Sequence, residues 1–440
     1  MNATPLLDSA LLGLFRFRTR GFMRMSECDG TVPPRPRSGG TYLYVHIPFC
    51  EALCPFCSFH RVLHCRPAAQ RYFAALRREL RLYHEAGFAF SGVYFGGGTP
   101  TVEPEELLAT IAQVRADFGV REISVETNPH DLREPLLAQL RAGGVTRLSV
   151  GVQSFDDGLL REMGRLEKYG TGFETAQRIR AAAGIFPTLN VDLIFNQPHQ
   201  TLASLERDLE IFRGLGAGQV SCYPLMTSPS GLARLAGAMG VPDRRRLRQF
   251  YQTIGRRLTA AGFAPTSAWC FTRRGDGSDE YLATADHYVG AGSGAFSYLD
   301  GTLYSTSFSL RTYEERIARG RTGIVTRHQL GDTDRMRYAL LVRMFGLGLD
   351  REWAVQHHGS RFFRRLWGEL LTLRLLGAVT RDARGWRLTE PGRYWLMLMM
   401  AEFFQSVNAY RDAMRAHAAA EQAAVETARA PATGPVQAAI

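Results

Sequence analysis

Three of the seven cysteines fall together in CEALCPFC, residues 50 to 57, spaced by three residues and then by two. Thiolates gathered this closely hold soft metals, and two chemistries compete for them. Structural zinc takes four ligands, usually as paired C-x2-C knuckles, and no second pair follows here; a site of three cysteines and one histidine would draw on His60 or His64, with Cys65 close by. A four-iron cluster needs three thiolates on three irons and leaves its fourth iron open to an outside chelator. That arrangement suits a cluster that must pass an electron to a bound molecule. Free cysteines that merely fill a core pack singly and do not crowd a loop beside a proline and an acid. The triad fits the iron–sulfur mount better, with zinc left as the alternative.

The elements that must position this loop are legible in the periodicity. YLYVHIPF leads into Cys50 as a strand. From residue 41 to about 260, six β-rich runs (41–47, 92–97, 122–128, 147–154, 188–195 and 219–225) alternate with amphipathic helical stretches. The alternation predicts an α/β fold with a parallel sheet: a partial (β/α)6, TIM-like barrel with chemistry at the carboxyl ends of its strands. Cys50, Cys54 and Cys57 follow strand one. The glycines of GGGTP close strand two, Glu126 and Asn128 close strand three, and Gln153 and Ser154 close strand four. Asp192 and Asn196 lie along and after strand five, and Tyr223 closes strand six. Six chemically loaded strand ends on one rim predict one site.

The chain divides by composition into a basic arm (1–40), the barrel (41–262), a Gly- and aromatic-rich extension (263–331), a winged-helix-like, mainly helical C-terminal domain (332–415) and an Ala-rich tail (416–440) expected to be disordered. The net charge of +11 is almost entirely arginine, since lysine occurs only at position 168. Solvated helix faces account for most such charge, and no nucleic-acid partner is expected. No apolar run approaches the roughly 20 residues of a membrane-spanning helix. The first apolar stretch lacks a basic start and a small-residue cleavage site, and seven cysteines without a framework of spacings suit a reducing compartment; the expected location is cytoplasmic. The arm LLDSALLGLFRFRTRGFMRM interleaves apolar residues with arginines and would give peripheral contact with an anionic membrane, or else pack beneath the barrel.

C-x3-C-x2-C with Phe56 before the last cysteine, after the first strand of a partial barrel, resembles the radical S-adenosylmethionine (SAM) superfamily. YVHIPFC (44–50), YFGGGTPT (94–101), ETNP (126–129), RLSVGVQSF (147–155), GR (164–165) and DLIFNQPHQT (192–201) resemble its branch of oxygen-independent coproporphyrinogen dehydrogenases and haem chaperones. The resemblance implies a 4Fe-4S cluster on Cys50, Cys54 and Cys57. It implies SAM chelated at the open iron and cleaved reductively to methionine and a deoxyadenosyl radical, with a flavodoxin- or ferredoxin-type electron donor. Carried over by motif, Tyr44 and His46 lie near the cluster and the sulfonium, and Phe56 stacks by the adenine. Gly97, Gly98 and Thr99 let the backbone approach the methionine moiety. Glu126 accepts from the SAM ammonium, Gln153 bonds the ribose, Arg165 pairs with the SAM carboxylate and Asp192 holds an adenosine hydroxyl.

Two departures stand out from the dehydrogenase pattern. Ser58 and Phe59 follow Cys57 where that pattern has a further cysteine, and Asn196 and Gln197 stand where it has glycine and leucine. FNQPHQT, YPLM, SAWCF and VGAGSGAFSYL resemble more closely the class C radical SAM methyltransferases, in particular the menaquinone C8-methyltransferases. That resemblance implies methylation of an sp2 carbon of a lipid quinone, with a tetrapyrrole as the alternative substrate. It also implies a second SAM, for which Gly290, Gly292 and Gly294 would provide a cradle of backbone N–H groups. Tyr223 and Cys270, with Trp269 and Phe271, would line the substrate pocket or relay the final proton.

Overall fold

The computed structural model describes residues 4–226, 229–273 and 285–429. Six parallel strands stand in chain order across the middle of one sheet: β1 (Thr41–Ile47), β2 (Gly92–Gly97), β3 (Glu122–Thr127), β4 (Arg147–Gln153), β5 (Thr188–Phe195) and β6 (Gln219–Pro224). Each is followed by a covering helix: α1 (Arg66–Glu85), α2 (Pro104–Phe118), α3 (Glu134–Ala142), α4 (Gly172–Ala182), α5 (Leu202–Arg213) and α6 (Leu247–Ala260). Helix starts follow local chemistry. At α4, Thr171 accepts from the N–H of Glu174, and Glu174 accepts in return from the N–H of Thr171, which satisfies two end donors at once.

Residues 263–331 extend this sheet at both edges. On one side β7 (Phe263–Pro265) and β8 (Cys270–Arg273) add antiparallel to β6. On the other, β9 (His287–Ala291) runs parallel to β1, so the parallel set has seven strands, one more than the six read from the sequence. Then β10 (Phe296–Leu299), β11 (Thr302–Thr306) and β12 (Ile324–Gln329) follow antiparallel. The glycine density of β9 hid its strand character, since glycine is depleted in strands and signals a turn.

A buried carboxylate ties this extension to the barrel. Glu79 of α1 is fully buried; its Oε2 accepts from Gly292 N–H at 2.8 Å and the Tyr313 hydroxyl at 2.7 Å, and its Oε1 accepts from Gly323 N–H at 2.7 Å.

The C-terminal part sets helices around a three-stranded sheet of Gly348–Asp350, Gly385–Leu388 and Val379–Arg381. The last helix, Glu390–Arg429, runs well past residue 416. The tail expected to be disordered is helical to Arg429, because its alanine run has high helix propensity and no proline before position 431; residues 430–440 lie outside the described residues. The arm forms a helix, Thr4–Thr19, docked on this last helix. Arg16 pairs with Glu402, with Nη2 to Oε2 at 3.0 Å, and Asp8 accepts from Tyr394 at 2.7 Å and Arg248 at 3.1 Å. Leu11 and Leu12 are buried in this contact, which takes up one apolar face of the arm. Among the described residues no helix is long and apolar enough to cross a membrane.

Candidate active site

The cysteine loop leaves β1 and folds back under the end of β2. Gly98 N–H donates to Ile47 O at 2.7 Å and Thr99 N–H to Phe49 O at 2.8 Å, which clamps the β2 end against the approach to Cys50. The contact leaves no room for a side chain: a Cβ on Gly98 would lie 2.6 Å from Phe49 O and 3.0 Å from Cys50 Sγ. Gly98→Ala should therefore push Cys50 aside and lower the iron bound per chain to less than about half, with the fold retained, because the clash is confined to the loop. Iron analysis beside a circular dichroism spectrum checks this; full iron content in the variant would contradict it.

The sulfurs face donors. Thr99 Oγ1 lies 3.7 Å from Cys50 Sγ and Arg165 Nη1 3.6 Å from Cys54 Sγ, while Arg61 Nη2 holds the carbonyls of Cys54 and Cys57 at 2.6 and 2.9 Å. Burial pushes the Cys50 thiol up to about 12, and proximity to Cys57 adds to the rise. The Cys50 thiol therefore stays neutral on its own, and a bound metal would supply the positive charge that favours its thiolate. The histidines weighed for zinc are committed elsewhere. His64 Nε2 meets Glu103 at 2.7 Å and His60 Nε2 meets Ser293 Oγ at 3.1 Å. Among the described residues no three His, Cys, Asp or Glu side chains are grouped to hold one metal ion. The donor set fits a cluster that spreads its irons over three thiolates.

Arg165 is the hub beside the triad. Its Nη2 donates to Asn128 Oδ1 at 3.0 Å and Gly151 O at 2.5 Å, its guanidinium covers the Tyr169 ring at 4.2 Å, and its buried Nε has no partner. Asn128 in turn donates to Thr99 Oγ1 at 2.9 Å. A cation with a spare donor beside a cluster mount suits a carboxylate ligand. Asn128 belongs to the ETNP motif quoted above but carries a positioning role that the motif alone did not assign.

Deeper in the barrel, Glu126 accepts from Tyr94 OH at 2.8 Å and Gly97 N–H at 3.0 Å. Burial first, and the nearby Asp192 second, push its carboxyl up to about 7. Asp192 accepts from Ser149 at 2.7 Å and Asn190 at 2.8 Å, and Asn190 accepts from Ser221 at 3.3 Å, so a polar ladder crosses β4, β5 and β6. Gln153 ends β4 at a bulge with φ of 73°, a left-handed conformation uncommon for a residue with a side chain. Such backbone persists where surroundings impose it, often at ligand sites.

Tyr44 and His46 share a fixed hydrogen-bond chain. His46 Nε2 lies 2.8 Å from His60 O, which can only accept, so this nitrogen carries the proton; Nδ1 then accepts from the Tyr44 hydroxyl at 3.0 Å. Burial lowers His46 to about 4 and keeps the imidazole neutral. Gly97 fits against this ring because its φ of 117° and missing side chain leave space; a Cβ there would lie 2.6 Å from His46 Cε1. Phe56, half-buried, packs with Ile194 and Leu225 against the buried Met163, Leu235 and Met239 in one apolar cluster.

Three further expectations meet different outcomes. The backbone N–H groups of the second glycine cluster are already used: Gly290 donates to Ser297 Oγ at 2.9 Å, Gly292 to Glu79 at 2.8 Å, Ser293 to Tyr72 OH at 2.9 Å and Gly294 to Ser307 O at 2.9 Å. Gly290, Gly292 and Gly294 thus serve close backbone packing, and the cradle expected for a second SAM is spent on the fold. Cys270 is fully buried on β8, paired across from Ser221. Strand alternation puts it on the same face as Thr272, which accepts from Gln219 inside the barrel. Tyr223 meets Trp269 with ring centroids 5.3 Å apart, and Trp269 meets Phe404 of the last helix at 5.7 Å.

That helix also grips the cysteine loop. Arg415 donates to Phe59 O at 2.8 Å and Ser58 O at 3.2 Å, and Arg411 covers the Phe59 ring at 4.9 Å. Residues more than 350 positions apart thus shape one site, and nothing in the local sequence signals Arg411 or Arg415.

Comparison with known proteins agrees with this geometry. The family model of the radical SAM superfamily matches residues 44–212. The chain is 32% identical over 321 residues to the heme chaperone HemW of Mycobacterium tuberculosis, covering 69% of this chain and 81% of that protein. It is 26% identical over 419 residues to the oxygen-independent coproporphyrinogen III oxidase of Paracoccus denitrificans, covering 88% and 90%. The solved coproporphyrinogen III oxidase HemN of Escherichia coli shares the fold, with a TM-score of 0.70 over 84% of this chain and 91% of that chain at 24% identity. These relatives support the branch and not its quinone-methylating subgroup. The chain belongs to the radical SAM superfamily, in the branch of HemN and HemW, and its cofactors are a 4Fe-4S cluster and SAM.

Proposed function

We propose that this chain acts on a tetrapyrrole by radical SAM chemistry, as a coproporphyrinogen III oxidase or a related haem-handling protein. One observation carries this reading: the likeness to the coproporphyrinogen III oxidase of P. denitrificans covers 88% of the chain and so runs beyond the barrel into the C-terminal part. That part supplies the wall beside the site, through Phe404 on Trp269 and Arg411 on Phe59. The portion suited to cover a substrate is therefore included in the likeness, along with the portion that holds the cofactors.

When bound, the cluster and SAM supply a reductive cleavage that yields a carbon radical able to abstract hydrogen. The protein's part is binding and exclusion. Cys50, Cys54 and Cys57 hold the cluster, Arg165 and Glu126 take the charged ends of the methionine moiety, and Asp192 and Gln153 take the ribose. The neutral Tyr44–His46 pair keeps a hydroxyl oriented at the barrel mouth with its proton fixed on a known atom.

The Glu126 role has a pH signature. Its carboxyl ionises near 7, and only the ionised form attracts the SAM amino group fully. SAM affinity should rise about tenfold between about pH 6 and pH 8, as the ionised fraction grows from roughly a tenth to nine tenths. Glu126→Gln should bind weakly and flatten the dependence. A wild-type affinity unchanged over that range would remove Glu126 from this role.

A second reading, methyl transfer to C8 of menaquinone, is favoured by Asn196 and Gln197, which depart from the oxidase pattern, and by the aromatic wall of Tyr223 and Trp269. Product analysis separates the readings. Anaerobic incubation with SAM, reductant and coproporphyrinogen III should release carbon dioxide if the chain is an oxidase. Stoichiometric haem binding without decarboxylation marks the chaperone, and a quinone gaining one methyl group marks the second reading and overturns the first.

A further inference from the structure

Outside the barrel, α6, β8 and the first turn of the last helix surround a cavity of about 230 Å³ that the chemistry at the rim does not use. Phe271 of β8 stands between Cys270 and Thr272, whose side chains face inward, so its ring points out of the barrel and forms the cavity floor with Tyr251 and Tyr394. All three rings are buried. The space is far more than the roughly 10–15 Å³ that one water needs and less than the roughly 300–1,000 Å³ of a site for a drug-sized molecule, which suits a ligand built on one ring. Gly255 lies in the middle of α6 and lines the cavity, and a Cβ built on it would meet nothing within 4 Å. Glycine is costly in a helix interior, and here a side chain would fit and fill the space.

The walls carry charge of both signs. Arg248 Nη2 pairs with Asp8 at 3.1 Å and its guanidinium lies over the Tyr394 ring at 4.1 Å, while its buried Nε meets no partner. Glu390 and Arg393 stand three apart on the last helix, a spacing at which opposite charges pair, yet among the described residues neither side chain forms an ion pair or hydrogen bond. The cavity thus offers a cation with a spare donor beside it, a separate anion, and an aromatic floor. A simple carboxylate would face Glu390 unfavourably, and a simple amine would face Arg393 unfavourably. An α-amino acid matches the whole set, since carboxylate, ammonium and side chain share one carbon. We infer that this cavity binds a free α-amino acid with an aromatic side chain, its carboxylate on Arg393 and Arg248 Nε, its ammonium on Glu390 and its ring against Phe271 and the two tyrosines. The site is separate from the SAM rim, because the floor ring faces away from the barrel interior.

The test is calorimetric titration of the cluster-reconstituted full chain with L-phenylalanine, with phenylpropionate, which lacks the ammonium, and with phenethylamine, which lacks the carboxylate. L-phenylalanine should bind saturably and about tenfold or more tightly than either relative. Glu390→Gln should weaken L-phenylalanine by about fivefold or more and leave phenylpropionate no weaker; Arg393→Gln should weaken L-phenylalanine likewise and leave phenethylamine no weaker. Gly255→Leu should fill the cavity and abolish binding, with a thermal midpoint equal to or above that of the wild type. Glu390 is exposed, so its variant decides the question even if Gly255→Leu fails to fold. No saturable binding by the wild type, equal binding of the three compounds, or undiminished L-phenylalanine binding in Glu390→Gln and Arg393→Gln overturns the inference. A parallel loss of SAM affinity in those two variants would place the effect at the rim and overturn it as well.

Discussion

Replacing Cys50, Cys54 or Cys57 singly by alanine should abolish the brown iron–sulfur absorption and reduce SAM cleavage by a factor on the order of 1,000 or more, equivalent to more than about 4 kcal/mol of transition-state stabilisation. The effect should be large because each thiolate would hold a different iron, and two remaining ligands would not keep the cluster in place. The three variants should be equivalent to one another. Cys65→Ala is the control: Cys65 is exposed at the head of α1, and its side chain makes no capping bond there, so its loss should leave both readouts unchanged. Comparable loss in Cys65→Ala, or retained absorption in any of the three, would contradict the ligand assignment.

The second large effect concerns the fold that carries the site. Glu79→Leu keeps similar bulk but removes three acceptor contacts, and leaves Gly292 N–H, Gly323 N–H and the Tyr313 hydroxyl buried without partners. At about 1–3 kcal/mol per orphaned donor, the variant should lose roughly 3–9 kcal/mol, a large fraction of the stability of an ordinary domain. Glu79→Gln retains one accepting oxygen and should fall between. Denaturant midpoints measure both, and a midpoint for Glu79→Leu within error of the wild type would show that water replaces the lost carboxylate. Damage should reach the site as well. Gly292 and Ser293 are held together with Tyr72, whose hydroxyl donates to His46 O at 2.6 Å.

What the sequence revealed was mostly local. The cysteine spacing needs eight consecutive residues, and all six expected strands end within one residue of their expected ends because apolar alternation stops where the rim begins. Glu126 and Asp192 were recognisable through motifs that sit at those ends. Contacts between distant segments were not. Arg411 and Arg415 read as ordinary helical arginines until the last helix is laid against Phe59, and Glu79 reads as one more acid on an amphipathic helix. Glycine density misled for a related reason. A run such as GAGSG shows that backbone N–H groups can be approached closely, but whether they face a ligand or an internal carboxylate depends on what folds against them, and here Glu79, Tyr72 and Ser297 do. Asn196 and Gln197 were visible as a departure from a pattern, while their burial and the unpaired Asn196 Oδ1 and Gln197 Oε1 emerge only from the packing of the loop.

The most direct test of the central claim is to measure deoxyadenosine formed anaerobically by the reconstituted chain with SAM and reductant, alone and with coproporphyrinogen III, haem or menaquinone added. Tetrapyrrole action predicts that one of the two tetrapyrroles raises deoxyadenosine formation about tenfold or more above the substrate-free rate, and that Cys54→Ala removes the increase. An increase with menaquinone alone, accompanied by a methylated quinone, would contradict that claim and transfer the site to quinone methylation.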